Sequence, residues 1–171
     1  MAKKRTRKRK QAPWNKGRDV GQRSPFSPAE VRRIRKLIAK RGDAGLRDLA
    51  LFSTAIDTML RTPDLLGMEV RDVRKRNRVM RDTVVLPATS RGQSVKCALT
   101  KTTMKVLDKW IDYSEKRADD YLFTGQKGGG LTRFSARQLS RLVKAWAEGI
   151  GLDARLERSP FDDVTGRSSF V

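Results

Sequence analysis

The stretch Leu46 to Val73, LRDLALFSTAIDTMLRTPDLLGMEVRDV, is the most apolar part of the chain and decides how the rest is read. Leu46, Leu49, Ala50, Ser53, Ile56 and Leu60 recur at steps of three and four residues, which predicts a core helix with these side chains on one face. Arg61 follows it. Thr62-Pro63-Asp64 then carries the marks of a new helix start: a capping Thr, Pro at the first helical position and Asp near the positive end of the dipole. A short second helix over Pro63 to Met68 is expected. Arg61 thus stands at a junction between two helices, where an anionic oxygen can be held by its charge and by backbone donors together. The plainer alternative is an Arg that only caps or solvates the turn.

Upstream, Ser27-Pro28-Ala29-Glu30 is a capping box with Pro at the first helical position, so a helix begins there. Val31, Ile34, Leu37 and Ile38 fall on its inner face and Arg32, Arg33, Arg35, Lys36 and Lys40 on its outer one, and Gly42 stops it. Downstream, Val79 to Leu86 and the alternating Ser94 to Leu99 read as two strands, with Ala88 to Gln93 turning the chain at Gly92. Thr100 caps a helix from Lys101 to about Lys116, with Val106, Leu107, Trp110 and Ile111 on one face. Ser135 opens another, with Leu139, Leu142, Val143, Trp146 and Ile150 inside and Arg137, Arg141 and Lys144 outside. The fold class is therefore α+β, mostly helical with a small antiparallel hairpin. The chain divides into a basic arm and linker (1–25), one folded domain (26–152) and a tail (153–171) that lacks amphipathic period and is expected to be disordered.

A chain of 171 residues with 37% hydrophobic content can bury one real core. Its 39 Lys and Arg against 19 Asp and Glu leave a net charge of +20, which implies a densely anionic partner. Nucleic acid fits best. A membrane surface fits less well, because neither a basic amphipathic helix of low polarity nor an apolar run of about 18 residues is present. The arm concentrates the charge in Lys3, Lys4, Arg5, Arg7, Lys8, Arg9 and Lys10, whose mutual repulsion extends it and whose phosphate contacts would release counterions from DNA or RNA alike. Trp14 in the linker either stacks on a base or tucks against the domain. One cysteine, Cys97, and no histidine exclude the usual zinc ligand sets, so no metal and no cofactor is expected. A charged N-terminus with no apolar segment after it argues for the cytoplasm rather than secretion. The glycines at 125 and 128–130 lack the Lys-Ser or Lys-Thr of a nucleotide loop, and a flexible loop is the better reading.

Thr58-Met59-Leu60-Arg61-Thr62-Pro63-Asp64-Leu65-Leu66-Gly67-Met68 resembles the first box of the tyrosine recombinases, or phage integrases: Thr-Gly-Leu-Arg, two variable residues, Glu-Leu, then Leu. Met59 replaces the family's usual Gly and Asp64 its usual Glu. Weaker points of likeness are the Phe-Ser-Pro start with a Glu and a helix at Phe26 to Ile34, and Leu122-Phe123 ahead of a glycine-containing loop. The resemblance spans about Pro25 to Leu152. It implies a recombinase catalytic domain in which Arg61 clamps the scissile phosphate of duplex DNA, serving DNA recombination and integration in the manner of a mobile element.

Other features depart from that family. Its hairpin carries a Lys at the turn that protonates the leaving oxygen, whereas Thr89-Ser90-Arg91-Gly92 stands here. Arg91, with a pKa above about 12, stabilises charge better than it donates a proton. Beyond Leu152 the second Arg box, the later His or Trp and the nucleophilic Tyr are not found. Tyr113 and Tyr121 both precede the expected second Arg. The expectation is a truncated, DNA-binding recombinase domain that does not cleave on its own. DNA contacts are assigned to the seven arm cations, Arg91, Arg137 and Arg141, and other recombinase subunits are candidate partners. Two alternatives remain open from sequence: a basic RNA-binding protein, disfavoured by the lack of an aromatic pair on a strand, and a non-catalytic regulatory partner of a full-length recombinase.

Overall fold

Ser27 starts the first helix, α1 (Pro28–Ala39), through a reciprocal box in which the Glu30 carboxylate accepts from the Ser27 backbone N–H at 2.7 Å and the Ser27 hydroxyl accepts from the Glu30 N–H at 3.3 Å. These contacts hold the Glu30 carboxyl below its ordinary pKa, the backbone hydrogen bond first and the hydroxyl second. The computed structural model describes residues 26–86, 94–125 and 132–152. The arm, Trp14, Arg91, the glycines at 128–130 and the tail lie outside that range.

After a 3-10 turn at Gly42–Gly45 come α2 (Leu46–Thr58), α3 (Thr62–Gly67) and α4 (Val70–Val73), then strands β1 (Thr83–Leu86) and β2 (Val95–Ala98), then α5 (Lys101–Tyr113) and α6 (Ala136–Gly149). β1 and β2 pair antiparallel from Thr83 opposite Ala98 to Leu86 opposite Val95. Val84 and Leu86 point into the core while Val85 is half exposed, the period-two pattern of a sheet covered on one face. This is the α+β, mostly helical architecture with one small hairpin that the sequence predicts. Helix starts at Thr100 and Ser135 also agree: each hydroxyl accepts a backbone N–H three residues on, and Gln138 completes a second capping box.

α2 is the centre of the domain, packed by α1, α5, β2 and the 3-10 turn. Ala50, Leu51, Phe52 and Ala55 are fully buried, and the Phe52 ring meets Trp146 of α6 edge-on at 5.4 Å. The expected inner stripe needs correction here. Ala50, Ser53 and Leu60 are buried as expected, but Leu46, Leu49 and Ile56 are only half-buried, and Asp48, Thr54 and Thr58, outside the stripe, are buried too. A helix surrounded on nearly all sides has no single inner face for periodicity to report. Thr54 and Thr58 survive burial by donating their hydroxyls to the carbonyls four residues back, at 2.8 Å each. Arg35 is a second correction, since it is half-buried and pairs with Asp57 at 3.6 Å rather than facing solvent.

Candidate nucleic-acid interface

Met59 ends α2 in the left-handed conformation, φ 50° and ψ 30°, and the chain then returns Leu60 to the core and places Arg61 just ahead of α3. A side chain in that conformation costs roughly 1 kcal/mol relative to glycine. The Gly-to-Met departure noted in the sequence thus falls at a left-handed position, where glycine would carry no such cost. Arg61, extended at φ −64° and ψ 149°, is itself the N-cap residue, so the helix starts at Thr62, one residue before the expected position. Its side chain makes no capping bond; its carbonyl accepts from Leu65 N–H at 2.9 Å.

The junction is fixed on every side. The Cys97 thiol of β2 donates to the Thr58 carbonyl at 3.4 Å, and burial pushes that thiol's pKa up. Asp57 accepts from Thr100 N–H at the start of α5 at 2.8 Å. On the other side of Arg61, the Arg133 guanidinium donates to the carbonyls of Leu66 and Pro63, at 3.1 and 2.5 Å, and so ties α3 to the segment that leads into α6. Arg61 therefore projects from a backbone with little freedom to move.

Its electrostatics differ from those of the four arginines that carry most of the domain's ion pairs. Arg41 and Arg47 share the buried Asp48, Arg71 pairs with Glu69 and Asp119, and Arg74 pairs with Asp108 and Asp112. Arg61 is half-buried, yet among the described residues no ion pair or side-chain hydrogen bond engages its guanidinium. α3 has only six residues, so its dipole adds little, and the attraction for an anion is the guanidinium's own. Such a group can grip a phosphate oxygen pair through its planar donor fork but cannot serve as an acid.

Arg137 and Arg141 are exposed one turn apart on α6, with Lys144 beyond them in an ion pair to Glu148 at 3.8 Å. Arg133 anchors the start of α6 to α3, the helix that Arg61 caps, so these cations belong to adjoining elements. The seven arm cations and Arg91 lie outside the described residues. Tyr113 is well exposed on the last turn of α5 beside Trp110, and the Tyr121 backbone pairs with Glu69 beyond the far end of α3 from Arg61. Among the described residues no three acidic, Cys or His side chains gather to hold a metal, and no helix is long and apolar enough to cross a membrane.

Sequence reading missed the positioning role of Arg133 and the buried Asp48. Arg133 offers no local signal, because its partners lie 67 and 70 residues away. Asp48 does offer one: a carboxylate inside the most apolar helix must find cations nearby.

The pattern that defines the phage integrase family matches residues 25–162. A tyrosine recombinase XerC from Corynebacterium efficiens (strain DSM 44549 / YS-314 / AJ 12310 / JCM 11189 / NBRC 100395) is 28% identical over 109 residues, 63% of this chain and 33% of that protein. The fold is similar to the crystal structure of XerA recombinase, with a TM-score of 0.61 at 18% identity over 75% of this chain and 43% of that one. It is also similar to XerH site-specific recombinase bound to its difH substrate before cleavage, with a TM-score of 0.60 at 17% identity over 81% and 40% of the two chains. The chain thus spans about a third of the length of the XerC relative and under half of either solved chain.

Proposed function

This chain belongs to the phage integrase family, and from that premise we propose that it binds duplex DNA as part of a tyrosine-recombinase catalytic domain, with Arg61 clamping a backbone phosphate during site-specific recombination or integration. The observation that carries the reading is Arg61 itself, half-buried on a fixed junction and without an ion pair or side-chain hydrogen bond among the described residues, whereas Arg41, Arg47, Arg71 and Arg74 are each paired with carboxylates. Residues 26–152 form the domain that grips the duplex in the cytoplasm. The arm (1–25), Arg91 and the Arg137–Arg141 row add phosphate contacts that raise affinity without reading sequence.

Strand cleavage needs a nucleophile on phosphorus, cations on the non-bridging oxygens and an acid for the departing deoxyribose oxygen. Arg61 supplies one cation. The two tyrosines of the chain, Tyr113 on the last turn of α5 and Tyr121 at the bridge to Glu69, both precede the place where the family carries its nucleophile, and on that ground these 171 residues hold the phosphate and do not cut on their own. Other recombinase subunits, or a full-length relative that this chain regulates, complete the chemistry.

The test is binding to duplex fragments from the protein's source DNA at roughly physiological salt, against unrelated duplex and single-stranded RNA. A preference of about a thousandfold for one duplex supports a retained site reader. Equal binding to all three, lost as salt rises, leaves only the arm and contradicts the proposal. A nicked duplex that traps covalent intermediates should yield no protein–DNA adduct.

A further inference from the structure

A cavity of about 450 Å³ lies between α4 with the loop that follows it and the C-terminal end of α5, and neither Arg61 nor α3 lines it. That volume is within the range of small-ligand sites, about 300–1,000 Å³. Its wall carries five cationic side chains against two carboxylates, Asp112 and Glu115. Asp112 is already committed to Arg74, at 2.8 Å, and Arg74 also reaches Asp108 at 3.3 Å. Arg74 is therefore neutralised and serves as a strut. Lys116 is held at the back by the Thr124 hydroxyl at 2.9 Å, with its ammonium over the Trp110 ring.

That leaves Lys75, Arg76 and Arg78, all exposed and with no ion pair among the described residues, against the one remaining carboxylate, Glu115. Mutual repulsion should scatter three such residues, but the backbone fixes them together. Lys75 N–H donates to Val79 O at 2.9 Å, Arg78 N–H to Lys75 O at 3.0 Å, and Arg74 pairs with Met80 across the loop. Arg78 is held at φ 63° and Glu115, on the opposite wall, at φ 49°, both left-handed conformations that side chains adopt at a cost. Cationic side chains carried by a hydrogen-bonded loop at the wall of a cavity are suited to phosphate oxygens.

We propose that this cavity is a second anion site, which takes a phosphate group on Arg76 and Arg78 with Lys75 beside them. The group comes either from a small phosphorylated ligand or from a nucleic-acid backbone. The inference does not depend on Arg61 or on the recombinase reading.

The experiment is a titration of the isotope-labelled full chain with inorganic pyrophosphate at roughly 150 mM salt, followed by backbone amide shifts. Saturable shifts confined to Lys75–Val79 and Glu115–Lys116 are expected. Arg76→Gln with Arg78→Gln should weaken that saturation at least tenfold, while Arg137→Gln with Arg141→Gln, which removes the same charge elsewhere, should leave it unchanged. Shifts that stay linear, or that weaken equally in both double variants, mean general attraction to a basic protein and overturn the proposal. If the cavity binds, a short duplex separates the sources: displacement of pyrophosphate identifies a DNA phosphate, and simultaneous binding identifies a small ligand.

Discussion

Replacing Asp48 with Ala should destabilise the domain by about 2–3 kcal/mol, even though Asp48 is a charged residue in a strongly basic protein. Its side chain is 2% exposed and accepts from Arg41 Nη1 at 3.1 Å, Arg47 Nε at 3.1 Å and Arg47 Nη2 at 2.9 Å. Breaking a fully buried pair by removing one partner costs about 3–5 kcal/mol, because the other charge is left uncompensated. The figure is reduced here because Arg41 is half exposed and regains water. Arg47 is not so free: its side chain is 19% exposed, lies 4.9 Å over the Phe134 ring and reaches the Thr124 carbonyl at 3.5 Å. Urea unfolding measures the loss, which should appear as a midpoint lowered by about 1 M for a slope of 2–3 kcal/mol/M. Arg47→Met with Asp48→Ala should recover part of it, since no buried charge then lacks a partner. A loss below about 0.5 kcal/mol, the range of ordinary surface changes, would refute the claim that this network supports α2.

Met59→Gly should raise stability by about 0.5–1 kcal/mol in the same assay, because it relieves the left-handed turn at φ 50°. Cys97, buried and with its thiol pKa pushed up, should resist alkylation in the native protein and react at the ordinary rate once urea unfolds it. Equal rates in both states would show that the thiol is accessible. The capping box predicts a pH dependence for the start of α1. The Glu30 carboxyl is lowered from 4.5, so its stabilisation is complete above that value and fades as acid titrates the folded carboxylate. Glu30→Gln should remove that acid-side change in amide exchange at Glu30 and Val31.

The helix starts were legible because caps act locally: Ser27 with Glu30, Thr100 with Thr103 and Ser135 with Gln138 all lie within one turn. The two strands were legible from the β-favouring run Val84-Val85-Leu86 and the polar–apolar alternation of Ser94 to Leu99. Arg61 was legible as the residue between two helices, and the resemblance at Thr58 to Met68 pointed to its family. The orientation of α2 was not legible, since burial on nearly all sides erases the contrast that periodicity needs. Nor were Arg35 with Asp57, Arg133 with Pro63 and Leu66, or the cavity beside Arg78, all of which are created when distant segments meet. Local sequence carries local hydrogen bonds; it does not carry which exposed-looking Arg finds a carbonyl some 70 residues away.

The central claim is that Arg61 serves DNA rather than the fold, and Arg61→Ala tests it when affinity and stability are measured on the same protein. Loss of charge-assisted phosphate contacts should weaken duplex binding by about 1–3 kcal/mol, roughly 5- to 150-fold, and reduce the salt slope by about one. The unfolding free energy from urea titration should stay within about 0.5 kcal/mol of the parent's, because Arg61 has no partner among the described residues to lose. Unchanged affinity with an intact fold, or a large loss of stability, would contradict the account and return Arg61 to a structural role.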